Sequence, residues 1–147
     1  MSGYSMNQYL YNQVNTASPE QILLMLYDGA IRFTRQAIIG IKENKSAQKG
    51  TGISRAMAII AEFSDSLNHE IGGQIAEELD ALYGFMMKEL IKANLENDLE
   101  KLRVVETLLV DLRQTWGAAV AITKKDVAAS SVLPGADQAV SPSVNFE

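Results

Sequence analysis

A chain of 147 residues with 47% hydrophobic and 21% charged residues and a formal charge of -5 has the composition of one globular domain, not of a disordered segment. Its acidic pI of about 4.9 argues against a nucleic-acid partner, which needs a basic face to meet the phosphates. The lack of cysteine removes disulfides, thiolate zinc sites and cysteine nucleophiles together, and is compatible with a reducing cytosol.

Residues 1–17 carry no charged side chain and mix Tyr4, Met6, Tyr9, Leu10, Tyr11 and Val14 with Ser, Asn and Gln. Without a basic start followed by an apolar core, they read as neither a secretory signal nor a membrane span. They are read as a cap or lid segment ahead of the folded part. Ser18-Pro19-Glu20-Gln21 is a strong helix start: a Ser cap, Pro at the first helical position, an acid in the first turn and Gln in the capping-box position. The spacing predicts a first helix over about 19–43. The polar stretch 44–52, NKSAQKGTG, reads as a connection, and a second helix follows from about Ile53 to His69 on the stripe Ile53, Met57, Ile60, Phe63, Leu67. Glu70-Ile71-Gly72-Gly73 is a break. A third helix over 74–95 carries Ile75, Leu79, Leu82, Met86, Leu90 and Ala93 as its core stripe. Asn97 and Asp98 supply a turn and cap. A fourth helix over 99–124 carries Leu102, Val105, Leu109, Leu112, Trp116 and Val120. Beyond Asp126 the composition becomes that of a mobile tail. The expected fold is therefore all-α: an antiparallel up-down-up-down four-helix bundle over 18–125, preceded by the segment 1–17 and followed by the tail 126–147.

The helices offer more apolar surface than one core face uses. On a helical wheel Ile22, Leu26, Gly29, Ala30, Phe33, Ala37 and Ile41 share one face of the first helix, the expected core. Leu24, Tyr27, Ile31 and Ile38 point roughly 80–140° away from its centre. Tyr83 and Met87 edge the third stripe, with Ile91 beyond. Val104, Leu108 and Ile122 flank the fourth. Such flanks either thicken a core or form a groove that accepts the apolar face of another helix.

Catalytic chemistry is not legible. His69 is the only histidine, so neither a two-histidine protease motif nor a di-iron bundle can be built. Glu77 and Glu78 read as a solvated edge, Lys124-Lys125 as favourable charges at a helix C-terminus. Thr51-Gly52 belongs to no phosphate loop, and no Ser-His-Asp spacing suggests a triad. The chain is expected to be no enzyme and to need no cofactor or metal.

The residues do resemble a known family. Tyr9 with Val14-Asn15-Thr16-Ala17-Ser18-Pro19-Glu20-Gln21, running into Leu24-Met25-Leu26-Tyr27-Asp28-Gly29-Ala30, is similar to the start of the flagellar secretion chaperones called FliS. Ala81-Leu82-Tyr83, Met86, Leu90, Ala93-Asn94 and Asn97-Asp98 resemble that family's third helix, and Leu112-Arg113 with Trp116 its last. Lys88-Glu89 stands where members often carry two basic residues, and Gly84 where a polar residue is usual. The resemblance implies an antiparallel four-helix bundle in the bacterial cytoplasm. It implies binding of the C-terminal helical region of flagellin and delivery to a component of the flagellar type III export gate, without ATP. Flagellin's terminal segments are disordered before assembly and amphipathic once helical, so apolar grooves would cover them until export. Tyr9, Leu10, Val14, Leu24, Tyr27, Ile31, Ile38, Tyr83, Met87, Val104 and Leu108 are the expected partner-binding residues. The segment 1–17 serves either as a lid that flagellin displaces or as a direct contact. The alternative is a structural bundle that uses its stripes to bind a second copy of itself.

Overall fold

The computed structural model describes residues 18–132, with side chains through 122. Four helices follow one another: α1 (Pro19–Lys42), α2 (Ser46–Asp65), α3 (His69–Glu96) and α4 (Leu99–Val132). The segment 1–17, with Tyr9, Leu10 and Val14, and the tail from 133 onward lie outside the described residues. The helices form a ring in which α1 packs on α2 and α4, and α3 packs on the same two. This is the antiparallel four-helix bundle that the periodicity predicts.

Local signals explain most of the boundaries. Ser18 caps α1 through the expected box: its hydroxyl accepts the Gln21 N–H at 3.2 Å, while its own N–H donates to Gln21 Oε1 at 3.1 Å. Asn68 Oδ1 accepts the Glu70 and Ile71 N–H groups, both at 3.1 Å, at the start of α3. Asp98 Oδ1 does the same for Glu100 and Lys101 at the start of α4. Asn97 ends α3 in the left-handed region, φ 53°. The second helix, expected to reach His69, ends at Asp65, and the break expected at 70–73 falls inside α3 as a kink at Gly73, φ 51° and ψ -124°, which a residue with a Cβ rarely adopts. The helix expected from Gln74 resumes there.

Two expectations are corrected. The stretch 46–52 is helical, so α2 starts seven residues before Ile53, at Ser46. Gly52 marks a close helix contact, not a loop, whereas Gly50 has open space around it. A Cβ on Gly52 would lie 2.6 Å from the Phe33 carbonyl oxygen and 2.8 Å from the Ala37 nitrogen, and one on Gly40 would lie 2.5 Å from the Lys49 nitrogen. The first two helices thus touch backbone to backbone. At the other end of the chain α4 runs on to Val132, past the expected end at Lys124.

The core holds Ala30, Ala37, Ile53, Ala56, Ile60, Phe63, Met86, Leu90, Ala93, Leu102, Val105 and Leu109, as periodicity suggests for most of them. Ile75, expected inside, is 66% exposed. The Ser64 hydroxyl bonds the Asp80 carboxylate, so α2 ends about a turn before Ile75 is reached and leaves it uncovered. Ion pairs fix how the helices are rotated: Arg35 to Glu106 at 2.7 Å and Arg113 to Asp28 at 2.9 Å join α1 to α4, and Lys101 to Glu89 at 3.8 Å joins α4 to α3. Lys49 Nζ closes one end of the bundle by donating to the Asn94 carbonyl at 3.0 Å and to Asn97 Oδ1 at 2.6 Å.

The glycines make a test. Gly→Ala inside a helix ordinarily gains about 1 kcal/mol, while overpacking a rigid contact loses roughly 1–3 kcal/mol. Gly52→Ala meets backbone atoms that cannot step aside, so it should lower stability by about 1–2 kcal/mol. Gly84, with open space around it, should gain up to about 1 kcal/mol as alanine. Urea unfolding of both variants reads the two opposite signs. A stabilised Gly52→Ala would show that α1 and α2 are not in backbone contact.

Candidate functional site

The centre of the bundle is an aromatic cluster to which each helix contributes one residue. Tyr27 of α1 stacks on Phe63 of α2, ring centres 4.3 Å apart and planes at 21°, and Phe63 lies 5.5 Å from Tyr83 of α3. The Tyr27 and Tyr83 hydroxyls share a hydrogen bond of 2.7 Å, and Trp116 Nε1 of α4 donates to the Tyr27 oxygen at 3.2 Å. Burial pushes the Tyr27 phenol above its ordinary value, although the hydrogen bonds from Tyr83 and Trp116 oppose this. Burial, and then the hydrogen bond to Tyr27, push Tyr83 far higher. Both are neutral hydroxyls at physiological pH. Every side-chain polar atom of the cluster has a partner within it.

This cluster corrects the expected division of α1. Tyr27 is 0% exposed, Ile31 8% and Ile38 6%, and Tyr83 on α3 is equally buried. They belong to the buried core, and Ile31 and Tyr83 also reach the floors of surface grooves. The reason is geometric: α1 is flanked by two helices, so its buried arc spans both contacts. Small residues (Gly29, Ala37, Gly40) face α2, while Ile31 and Ile38 lie on the side of Arg35 and Asp28, which reach α4. The wheel centred the core on Phe33 and Leu26, which are only half-buried. The ring of Phe33 is instead covered by two guanidinium groups, those of Arg32 and Arg55.

The remaining candidates stay accessible. Leu24, Met87 and Leu108 are half-buried, and Val104 is 41% exposed. Met87 lines a groove of about 360 Å³ between α2 and α3, with Ile60, Ala61, Ser64, Tyr83 and Gly84. Ile91, one turn on from Met87, continues this edge and is 45% exposed. Val104 and Leu108 lie on the side of α4 that carries Lys101, hence toward Glu89 and α3. Phe85, 44% exposed, is on the matching flank of α3. The accessible apolar surface therefore borders α3 on both sides. Sequence reading missed Phe85 and Leu95, because both fall outside the α3 core stripe at positions where a polar residue is the ordinary occupant. Among the described residues no group of His, Asp and Glu is placed to hold a metal ion. Among them, too, no helix is long and apolar enough to cross a membrane.

Comparison with known proteins agrees with this architecture. Residues 2–123 match the family described as flagellar protein FliS. The flagellar secretion chaperone FliS of Bacillus subtilis is 35% identical over 118 residues, 80% of this chain and 87% of that protein. The protein of the same name from Salmonella typhimurium is 36% identical over 104 residues, 70% of this chain and 77% of its own length. A crystal structure of a bacterial flagellar chaperone superposes with a TM-score of 0.65 at 16% identity, covering 82% of this chain and 98% of that one, a likeness of fold.

Two measurements check the assignments. Ile31→Lys forces an ammonium into the core beside two arginines and should cost roughly 3 kcal/mol or more, whereas Val104→Lys should change stability by about 0.5 kcal/mol at most. Equal melting temperatures would restore Ile31 to the surface. The tyrosine pair predicts a second signature. Unfolded tyrosines ionise near pH 10, whereas the folded pair holds its protons to higher pH. The native state then carries more protons than the unfolded one, and its extra stability, complete below about pH 10, is lost as pH rises further. The slope should approach about 2.7 kcal/mol per pH unit for two tyrosines and flatten in the Tyr27→Phe/Tyr83→Phe variant. Urea unfolding between about pH 8 and about pH 11.5 reads it; an unchanged slope in the variant would remove the tyrosines as its cause.

Proposed function

We propose that this chain, which belongs to the FliS family of flagellar secretion chaperones, binds the C-terminal helical region of flagellin in the bacterial cytoplasm. There it keeps that segment from polymerising early and delivers it to the flagellar type III export gate. The observation that carries this reading is the apolar surface on both sides of α3, kept open in an otherwise satisfied bundle: Met87 and Ile91 on one flank, Phe85, Val104 and Leu108 on the other.

The physics of such a task is coherent. An export client must stay unfolded enough to pass a narrow channel, yet its amphipathic ends must not meet each other. Helices laid into grooves beside α3 bury their apolar faces without any covalent step or nucleotide. The relatives are flagellar secretion chaperones, which supports this process for the chain. Tyr9, Leu10 and Val14, outside the described residues, are apolar and uncharged, and in this reading they serve either as a direct contact with the client or as a lid that it displaces. The buried Tyr27, Ile31, Ile38 and Tyr83 hold the shape of the grooves, and Leu24 is a rim residue.

Titration of the chain with a peptide of the flagellin C-terminus tests the reading. Circular dichroism of the mixture should show more helix than the sum of its parts, since the client orders as it binds, at roughly 2–5 kcal/mol. Calorimetry should give a negative heat-capacity change and an affinity that depends only weakly on salt. Val104→Lys and Met87→Lys should weaken binding at least about tenfold with melting temperatures nearly unchanged. Full affinity in both variants would move the client elsewhere. A concentration-dependent dimer abolished by the same two changes, with no flagellin binding, would favour self-association instead.

A further inference from the structure

The five arginines of the chain divide into two kinds. Arg35, Arg103 and Arg113 end on carboxylates, those of Glu106, Glu100 and Asp28. Arg32 of α1 and Arg55 of α2 end on the same phenyl ring: their guanidinium carbons lie 5.2 Å and 5.6 Å from the centre of Phe33. Neither has a carboxylate partner among the described residues. Asp28, one turn from Arg32, is the acid that could neutralise it, and Arg113 holds both of its oxygens, at 2.9 and 3.4 Å. One turn to either side of Arg55 stand Thr51 and Ile59, which carry no charge.

Two guanidinium groups around one ring repel each other, and the ring's negative face offsets only part of that repulsion. With Arg35 one turn away, balanced by Glu106, the patch is cationic on a chain whose formal charge is -5. Arg32 and Arg35 also line a shallow groove of about 560 Å³ with an apolar floor of Ile31, Ile39 and Val110; its one acid, Asp28, is the carboxylate held by Arg113, and Ile39 is 44% exposed. Uncompensated forks for a carboxylate thus stand next to a seat for an apolar side chain.

We propose that Arg32, Phe33 and Arg55 form a recognition site for an acidic segment of a second protein. A carboxylate of that segment takes paired hydrogen bonds from one guanidinium, whose planar fork matches its geometry, and the second guanidinium adds its charge or takes a further carboxylate. A neighbouring apolar side chain of the same segment enters the groove beside Ile39 and Val110. A long polyanion such as a nucleic acid is disfavoured, because the surrounding acidic surface repels it. The site lies on α1 and α2, on the far side of the ring from the exposed flanks of α3, so a bundle with its α3 grooves filled still presents it.

Two-dimensional NMR of the full chain, recording the arginine Nε–H groups, tests the site directly. The probes are a blocked peptide rich in glutamate and leucine, its glutamine counterpart, inorganic phosphate and a thymidine oligonucleotide. The glutamate peptide should move the Arg32 and Arg55 signals and leave Arg103 in place. Arg32→Gln with Arg55→Gln should raise its Kd at least about tenfold, whereas Arg103→Gln should not change it. If the double glutamine variant melts early, Arg32→Lys with Arg55→Lys keeps the charge without the fork and should still raise Kd measurably. The proposal is overturned if the glutamine peptide binds as well, if phosphate or the oligonucleotide moves the same signals as strongly, or if the lysine pair binds with unchanged Kd.

Discussion

The hydroxyl of Tyr27 is the point on which the bundle turns. It lies among apolar side chains, where an unpaired hydroxyl would cost roughly 1–3 kcal/mol, and it is satisfied only when α3 and α4 bring Tyr83 and Trp116 to it. Its ring requires Phe63 of α2 in stacking distance. One residue of α1 thus specifies the position of one residue on each of the other three helices. Apolar packing alone tolerates rotation and slippage of helices. A directional contact with a penalty for being left unmade does not, and here it sets order and register together.

Much of the remaining architecture follows from turning Tyr27 inward. Ile31 and Ile38 come in with it, on the side that reaches α4, while Phe33 is carried out to the edge of the α1–α2 contact. There the two arginines cover it. The α1–α2 pair closes by small residues at backbone distance and leaves little open surface between them. Against α2 and α4, α3 presents larger side chains and cannot close as tightly. The half-buried Met87 and the exposed Phe85, Ile91 and Leu95 are what remains. The fold therefore divides into a tight half that holds the structure and a looser half that offers surface.

What could be read from the sequence depended on how local the cause was. The α1 start is written in four consecutive residues, and the Asn97-Asp98 turn in two; both are where the residues alone place them. Gly73 needed no partner to break α3. Gly52 was misread because glycine breaks a helix in isolation and permits close contact in a bundle, and only the neighbouring helix decides which. The rotation of α1 was misjudged for the same kind of reason. A wheel finds one apolar centre, but a helix between two neighbours has two contact lines, and the hydroxyl network that chose between them joins residues 56 and 89 positions apart. The side of α4 bearing Val104 and Leu108 was legible as lying beside the main stripe, because the spacing within α4 alone sets it.

A protein that keeps apolar surface open has to avoid spending it on itself, and the sequence of α3 shows how. Met87, Ile91 and Leu95 recur every four residues and form one row along the helix. Lys88, Lys92 and Glu96 follow each of them by one position and form a second, charged row beside the first, all three exposed. For two copies to join apolar row to apolar row they must also bring these charged rows together and strip their water. The net charge of -5 adds a longer-range repulsion between copies. A single amphipathic helix meets neither obstacle in full: it is narrow enough to lie along the apolar row while the charges beside it remain hydrated. On the proposed function, the width of the partner, more than its chemistry, is what such an arrangement selects.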